Sequence, residues 1–411
     1  MAIADIVLDN TDLRFTPDYN STIGTSLKPN RPLKMMIGFD VRGETKTIPI
    51  IEGLTTQPQE DKIRRTVKIS AYDFMKALSE KPQETTIYTN QRSDEIIKDI
   101  LARAGVGSNS YALDQGLNTV GFAWFEKGQT AGDRIKKLCE AEEATFYQDE
   151  NGILRFENRD KYSEAPHDNY VWTIHSKDIL EWRQELNSTI INRVIVSGTP
   201  RSVKGEVEVW RDGVEEEIEA GSNLTLWAEF DDPASSITEP VQDTDFKAFT
   251  ATDGGGADIS ADVTIVTTFF TKTAKMVISN ANVAKGYINL LKIRGTPATI
   301  DYEIKEVYED NDSIDQYNEH QKEIKNIYID KKLFARSMAE NIVKRSKDPI
   351  GTLRLKIRGI PQLQLRDMIR VEDKDLSTYT NYRLIGIQGI FEAGSFTQNL
   401  TLRKVTSNEA L

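Results

Sequence analysis

LRLKIRGIPQLQLRDMIRV (Leu353–Val371) and YRLIGIQGIFEAGSFTQNLTLRKV (Tyr382–Val405) decide the fold of this chain. Both read as strand. In Leu384–Phe391 apolar residues mostly alternate with small or polar ones, and Thr397–Arg403 does the same in reverse. Glu392-Ala393-Gly394-Ser395 is a short glycine-containing connection, so the pair predicts a hairpin. Gly351–Gly359 and Asp367–Glu372 read as two further strands, with Gly359–Leu363 as the loop between them.

Upstream, Lys331–Arg345 reads as a helix. Phe334, Met338 and Ile342 recur every four residues, Asp330 is placed to cap the first turn, and Lys344 and Arg345 favour the last. Pro349 ends it. Before it come a charged strand (Lys322–Ile329), a polar turn (Asp310–Ile314) and an extended run (Tyr302–Tyr308). The expected product is a barrel or sandwich with one helix packed on it.

The order of these segments resembles the C-terminal tube-forming domain of tailed-phage baseplate and tail-tip hub proteins. Asp73–Pro82, Thr130–Arg159 and Asn192–Gly198 extend the resemblance over most of the chain. It implies a homotrimer whose six barrel domains mimic a six-fold tube. Its implied partners are a distal tail protein, a tape-measure protein, a tail fibre or spike protein, and genomic DNA passing through the lumen without sequence-specific binding. It places the protein at the virion tail tip or baseplate, assembled in the host cytoplasm.

The rest of the chain fits a fold that is α+β, mainly β, and multidomain. A length of 411 residues exceeds one ordinary core. Residues 1–85 read as a first β-barrel-like tube domain, with strands at Leu33–Phe39, Thr47–Gly53 and Ile63–Ser70 and a short helix at Ser70–Leu78. Strands within 166–190 are expected to complete it. Residues 86–165 read as a small α/β domain. Its helices are Ser93–Ala104, capped by Ser93 and ended at Gly105, and Thr130–Glu142, capped by Thr130. Its hairpin turns at Asn151-Gly152. Residues 190–212 with 301–405 make the second tube domain. Residues 213–300 read as an inserted Ig-like β-sandwich, with thirteen acidic against six basic residues and period-two strands between turn clusters.

Composition limits function. The formal net charge of −12 argues against a protein that grips DNA phosphates. One cysteine, Cys139, excludes an intramolecular disulfide; it reads as a buried structural thiol or a reactive one. The N-terminus lacks a signal-peptide pattern, and no window approaches the ~18 apolar residues of a membrane helix. His167, His175 and His320 stand apart, so no zinc site, cofactor site or catalytic motif is expected. The sequence runs six residues past its last predicted strand, and no C-terminal hydrolase is expected. Asp149-Glu150-Asn151-Gly152 allows calcium or a plain turn. Trp172, Trp182, Trp210 and Trp227 suit a sugar groove, or a core and interfaces.

The expected function is a structural hub. It would cap the tail tube, anchor fibre proteins and leave a channel for DNA ejection. The alternative is a host-surface adhesin acting through the sandwich. Candidate interface residues are Arg64, Arg65 and Lys68 on one strand face, where phosphate contact is the other reading, and Arg354, Lys356 and Arg358 on another.

Overall fold

A computed structural model describes residues 2–16, 23, 27–80, 87–125, 128–162, 169–187, 190–376, 378–392 and 394–405. His167 lies outside them. The chain is mainly β, in several sheets.

The N-terminal sheet runs Ile3–Asp9, Thr66–Tyr72, Glu44–Thr55, Pro32–Val41, with Gln59–Asp61 added to Thr66–Tyr72. Val67, Ile69 and Ala71 alternate inward, as a half-buried strand requires. The first strand, Ile3–Asp9, was not anticipated. The helix expected from Ser70 begins at Phe74, because Ser70 remains in its strand and gives its hydroxyl to Asp5 (2.6 Å).

The α/β unit contains the two expected helices, at Ser93–Arg103 and Ala131–Glu142. Thr130 caps the second, accepting from the Asp133 amide at 3.1 Å. Ser93 does not cap the first. Arg92 occupies that position, and the Ser93 hydroxyl donates instead to Glu142, a fully buried carboxylate. The hairpin Thr145–Gln148/Leu154–Glu157 turns as expected, with Gly152 at φ +81°. Asp149 is consumed by this turn: it accepts from the amides of Asn151 (3.0 Å) and Ile153 (2.9 Å) and from Arg155 Nε (2.7 Å). The plain-turn reading therefore accounts for its oxygens.

The middle of the chain departs from the expected domain limits. Arg193–Gly198 pairs with Ile304–Glu309 and with Gln321–Lys325. This sheet and the helix Lys332–Ser346 share one core with the α/β unit, in which Ile100, Leu138 and Phe156 join Val194, Ile324 and Met338. Asp330 does not cap that helix. Its Oδ2 accepts from the Gly121 amide of the α/β unit at 2.7 Å, and a side chain at Gly121 would collide with that oxygen. The expected polar turn at Asp310–Ile314 is a short helix, Asn311–Tyr317, capped by Asp310 through the Ser313 amide (2.9 Å).

The C-terminal sheet runs Trp172–Ile174, Met368–Asp373, Thr378–Glu392, Ser395–Lys404, Ile350–Arg358, Ile179–Asn187. The strands within 166–190 therefore complete this sheet and not the first. All four C-terminal strands expected from the sequence are present. Residues from across the sheet, among them Ile174, Leu355, Ile369, Leu384 and Leu400, meet in one core, so the sheet wraps on itself. Gly359 is fixed by packing, since a Cβ there would lie 1.9 Å from the Phe396 ring.

The insertion is a sandwich. Gly286–Ile300 pairs with five strands, including Arg201–Val203 and Val207–Arg211. Asn223–Glu229, Thr273–Asn280 and Val263–Phe269 form the facing sheet. Phe230, Phe246, Met276, Ile288 and Leu291 fill the space between. The guest thus begins near residue 199, not 213. The strand Val207–Arg211, expected within the second tube domain, pairs with Gly286–Ile300 of the sandwich. Gly198 and Ile304, on either side of the insertion, are register partners in one antiparallel pair.

Candidate functional site

Two surface features stand out: the outer face of the C-terminal sheet and the open edges of both large sheets. In Ile350–Arg358 the residues Leu353, Leu355 and Ile357 point inward, which turns Arg354, Lys356 and Arg358 outward. Register sets Arg354 opposite Arg183 and Thr401, and Lys356 opposite Glu181 and Asn399. Lys356 reaches Glu181 at 3.3 Å and Arg354 reaches Glu185 at 3.5 Å. These are exposed pairs of little stabilising weight. Across Ile350–Arg358 and Ile179–Asn187 alone, Arg183 and Arg358 bring this face to four basic against two acidic side chains. Arg358 lines a cleft of about 630 Å³ with Phe39, Leu180, Phe391 and Phe396, between the two large sheets.

The first candidate triplet is placed differently. Arg64 and Arg65 lie in the turn before Thr66–Tyr72, not on a strand face. Arg64 is exposed, with Nε 3.9 Å from Asp61. Arg65 takes φ +51°, and its carbonyl accepts from the Asn10 amide at 2.8 Å. Lys68 is on the strand and pairs with Asp5 at 3.1 Å. Among the described residues no ion pair or hydrogen bond joins this triplet to Arg354, Lys356 and Arg358.

Which strands and residues form the edges is the feature that sequence reading missed. Ile3–Asp9 and Pro32–Val41 border the N-terminal sheet; Trp172–Ile174 and Ile179–Asn187 border the C-terminal one. Each exposes apolar side chains: Ile3 and Val7 (64% exposed), Met36 and Phe39, Trp172, and Leu180 and Trp182. Unpaired strand edges with apolar side chains are templates for another strand. The available signal was apolar residues at both parities of a strand, as in Leu33–Phe39.

The residues screened for chemistry have structural surroundings. Cys139 is buried, and burial pushes its thiol up to about 12, so it is no thiolate nucleophile at neutral pH. His175 Nδ1 lies 3.2 Å from Glu372, whose carboxyl is held low first by the Ser176 amide and then by this histidine. His320 Nε2 lies 3.0 Å from the Tyr317 carbonyl oxygen. Trp210 packs against the sandwich core, whereas Trp172, Trp182 and Trp227 are exposed. Among the described residues, no group of three or more His, Cys, Asp or Glu is placed to hold a metal, and no helix is long and apolar enough to cross a membrane.

No protein-family model and no curated protein matches this chain. Solved structures do. The tail protein from Neisseria meningitidis MC58 superposes with a TM-score of 0.51 at 11% identity, over 98% of this chain and 91% of that one. The two chains share one fold. The 43 kDa tail protein of prophage MuSo2 from Shewanella oneidensis agrees, with a TM-score of 0.50 at 10% identity over 99% and 89% of the two chains. At such identities the likeness is one of architecture, and it spans nearly the whole length of each chain.

Proposed function

We propose that this chain is a structural component of a phage tail tip or baseplate, the ring-forming hub that closes the tail tube. The reading is carried by four sheet edges that are unpaired among the described residues: two large sheets in one chain, each with apolar side chains exposed on both borders. Closing a ring removes such edges by pairing them between copies. The whole-chain likeness in fold to two tail proteins supports it. Three copies would supply six wrapped sheets around a channel for DNA.

The remaining partners follow from that position. A distal tail protein lies on one side, a fibre or spike on the other, and a tape-measure protein within. The basic outer face around Arg354 and Lys356 suits a protein contact better than a DNA lumen, since phosphates would be held there rather than passed. The role is non-enzymatic and its place is the virion, after assembly in the host cytoplasm. Absolute mass by light scattering, with negative-stain averages of the same sample, tests the ring. A trimer with a central hole is expected; a stable monomer at high concentration, both alone and with tail tubes, overturns it. One observation favours an additional host-binding role for the sandwich: its three-stranded sheet leaves Trp227 and Val266 exposed.

A further inference from the structure

We propose that the outer face of the sandwich's three-stranded sheet is a platform for an uncharged polysaccharide, with Trp227 as its stacking residue. The proposal rests on the host-binding reading of the sandwich and is independent of the ring.

Strand alternation builds the platform. Ala274, Met276 and Ile278 point into the sandwich core, so the intervening residues face outward. Register then places Trp227, Lys275 and Thr268 in one row across the three strands. Thr225 and Thr264 stand further along the same face, both exposed. The Trp227 side chain is half exposed, and its ring lies nearly parallel to Phe270, with centroids 6.0 Å apart and planes 18° apart. Phe270 therefore fixes the plane of the indole before any ligand arrives, which lowers the ordering cost of binding.

The chemistry of this face selects its ligand. The electron-rich face of an aromatic ring attracts polarised C–H groups, which a sugar ring presents on its flat side. The threonine hydroxyls can both donate to and accept from sugar hydroxyls. Charge narrows the class. Residues 213–300 carry thirteen acids against six bases, yet this face offers only Lys275 and Glu229 as charges. A polyanion is repelled by the surrounding body, whereas an uncharged polymer fits a neutral window within it.

Affinity electrophoresis of the full chain, through gels holding dextran, mannan or galactan and through alginate as a polyanion, tests the site. Retardation by at least one uncharged polymer and not by alginate is expected. Trp227→Ala should weaken it about tenfold, and Trp227→Phe should keep part of it. Trp227→Ala should also keep the parent's melting temperature and mass, so a failure of the ring would register separately. No retardation, equal retardation by alginate, or retardation unchanged in Trp227→Ala overturns the proposal. Adsorption of the full chain to host cells, measured alongside, separates the two readings. Cell binding without polysaccharide retardation removes the glycan site and leaves the host-binding role standing.

Discussion

Glu142 shows how a side chain escapes local reading. It ends a helix, yet it is fully buried, accepting from Ser93 Oγ and from the Leu117 amide. Burial, the largest influence, pushes its carboxyl up from 4.5 despite those donors. The folded chain then holds this proton more tightly than the unfolded one. The group's contribution to stability is therefore full below pH 4.5 and falls as pH rises through the folded value. Glu142→Gln keeps an acceptor for Leu117 and should flatten that fall, measured as urea midpoints at pH 5 and pH 7. Asp310 has the opposite sign. The Lys347 ammonium at 2.9 Å, then the Ser313 amide, hold it below 3.8, so its contribution is present above that pH and is lost in acid. Asp310→Ala should destabilise by about 1 kcal/mol or more through the lost cap, and Asp310→Asn by less, read by thermal melts at neutral pH.

Of the helix caps, Thr130 was legible and Asp310, whose segment read as a polar turn, was not, although each bonds a residue three positions on. Ser93 and Asp330 have the same chemistry, but their oxygens are taken by Glu142, 49 residues away, and Gly121, 209 residues away. The outward charges Arg354 and Lys356 were also legible, because alternation alone fixes them.

At the scale of elements, strands could be read and their pairing could not. Trp172–Ile174 and Ile179–Asn187 join a sheet whose other strands begin at residue 350, a choice set by packing against Leu353 and Ile369. Nothing within either segment announces it. The guest was visible from its composition, but its first two strands lack the acidic bias and were assigned to the body. Gly198 marks the junction physically: a Cβ there would lie 2.0 Å from the Ile329 carbonyl. Gly198→Ala should cost about 1–3 kcal/mol by overpacking, visible as a lower melting temperature. Replacing residues 199–303 by a short turn should leave the body's melting transition in place, since Gly198 and Ile304 already face each other.

For the whole molecule, the ring reading predicts variants that separate folding from association. Val7→Lys and Leu180→Lys place a charge on two exposed edges. Val7 faces solvent and Leu180 is half exposed at the cleft it lines with Phe39, so each variant should melt within about 1 kcal/mol of the parent. Each should also shift the mass by light scattering toward the monomer. Variants that remain trimeric would mean that these edges are not the joints. The overall architecture was legible as an order of segments, because that order persists where identity has fallen to 11%. The sharing of one core between the α/β unit and the central helix was not, since it depends on contacts such as that of Asp330 with Gly121.

The doorway formed by Gly198 and Ile304 has a practical meaning. A passenger that enters and leaves at one point imposes no strain that grows with its size, because loop-closure entropy rises only slowly with length. The body would tolerate exchange of its cargo for another compact module with neighbouring ends, such as a fluorescent reporter or a different recognition head. A chain carrying such a bay could change what its guest module touches without redesigning the body that holds it.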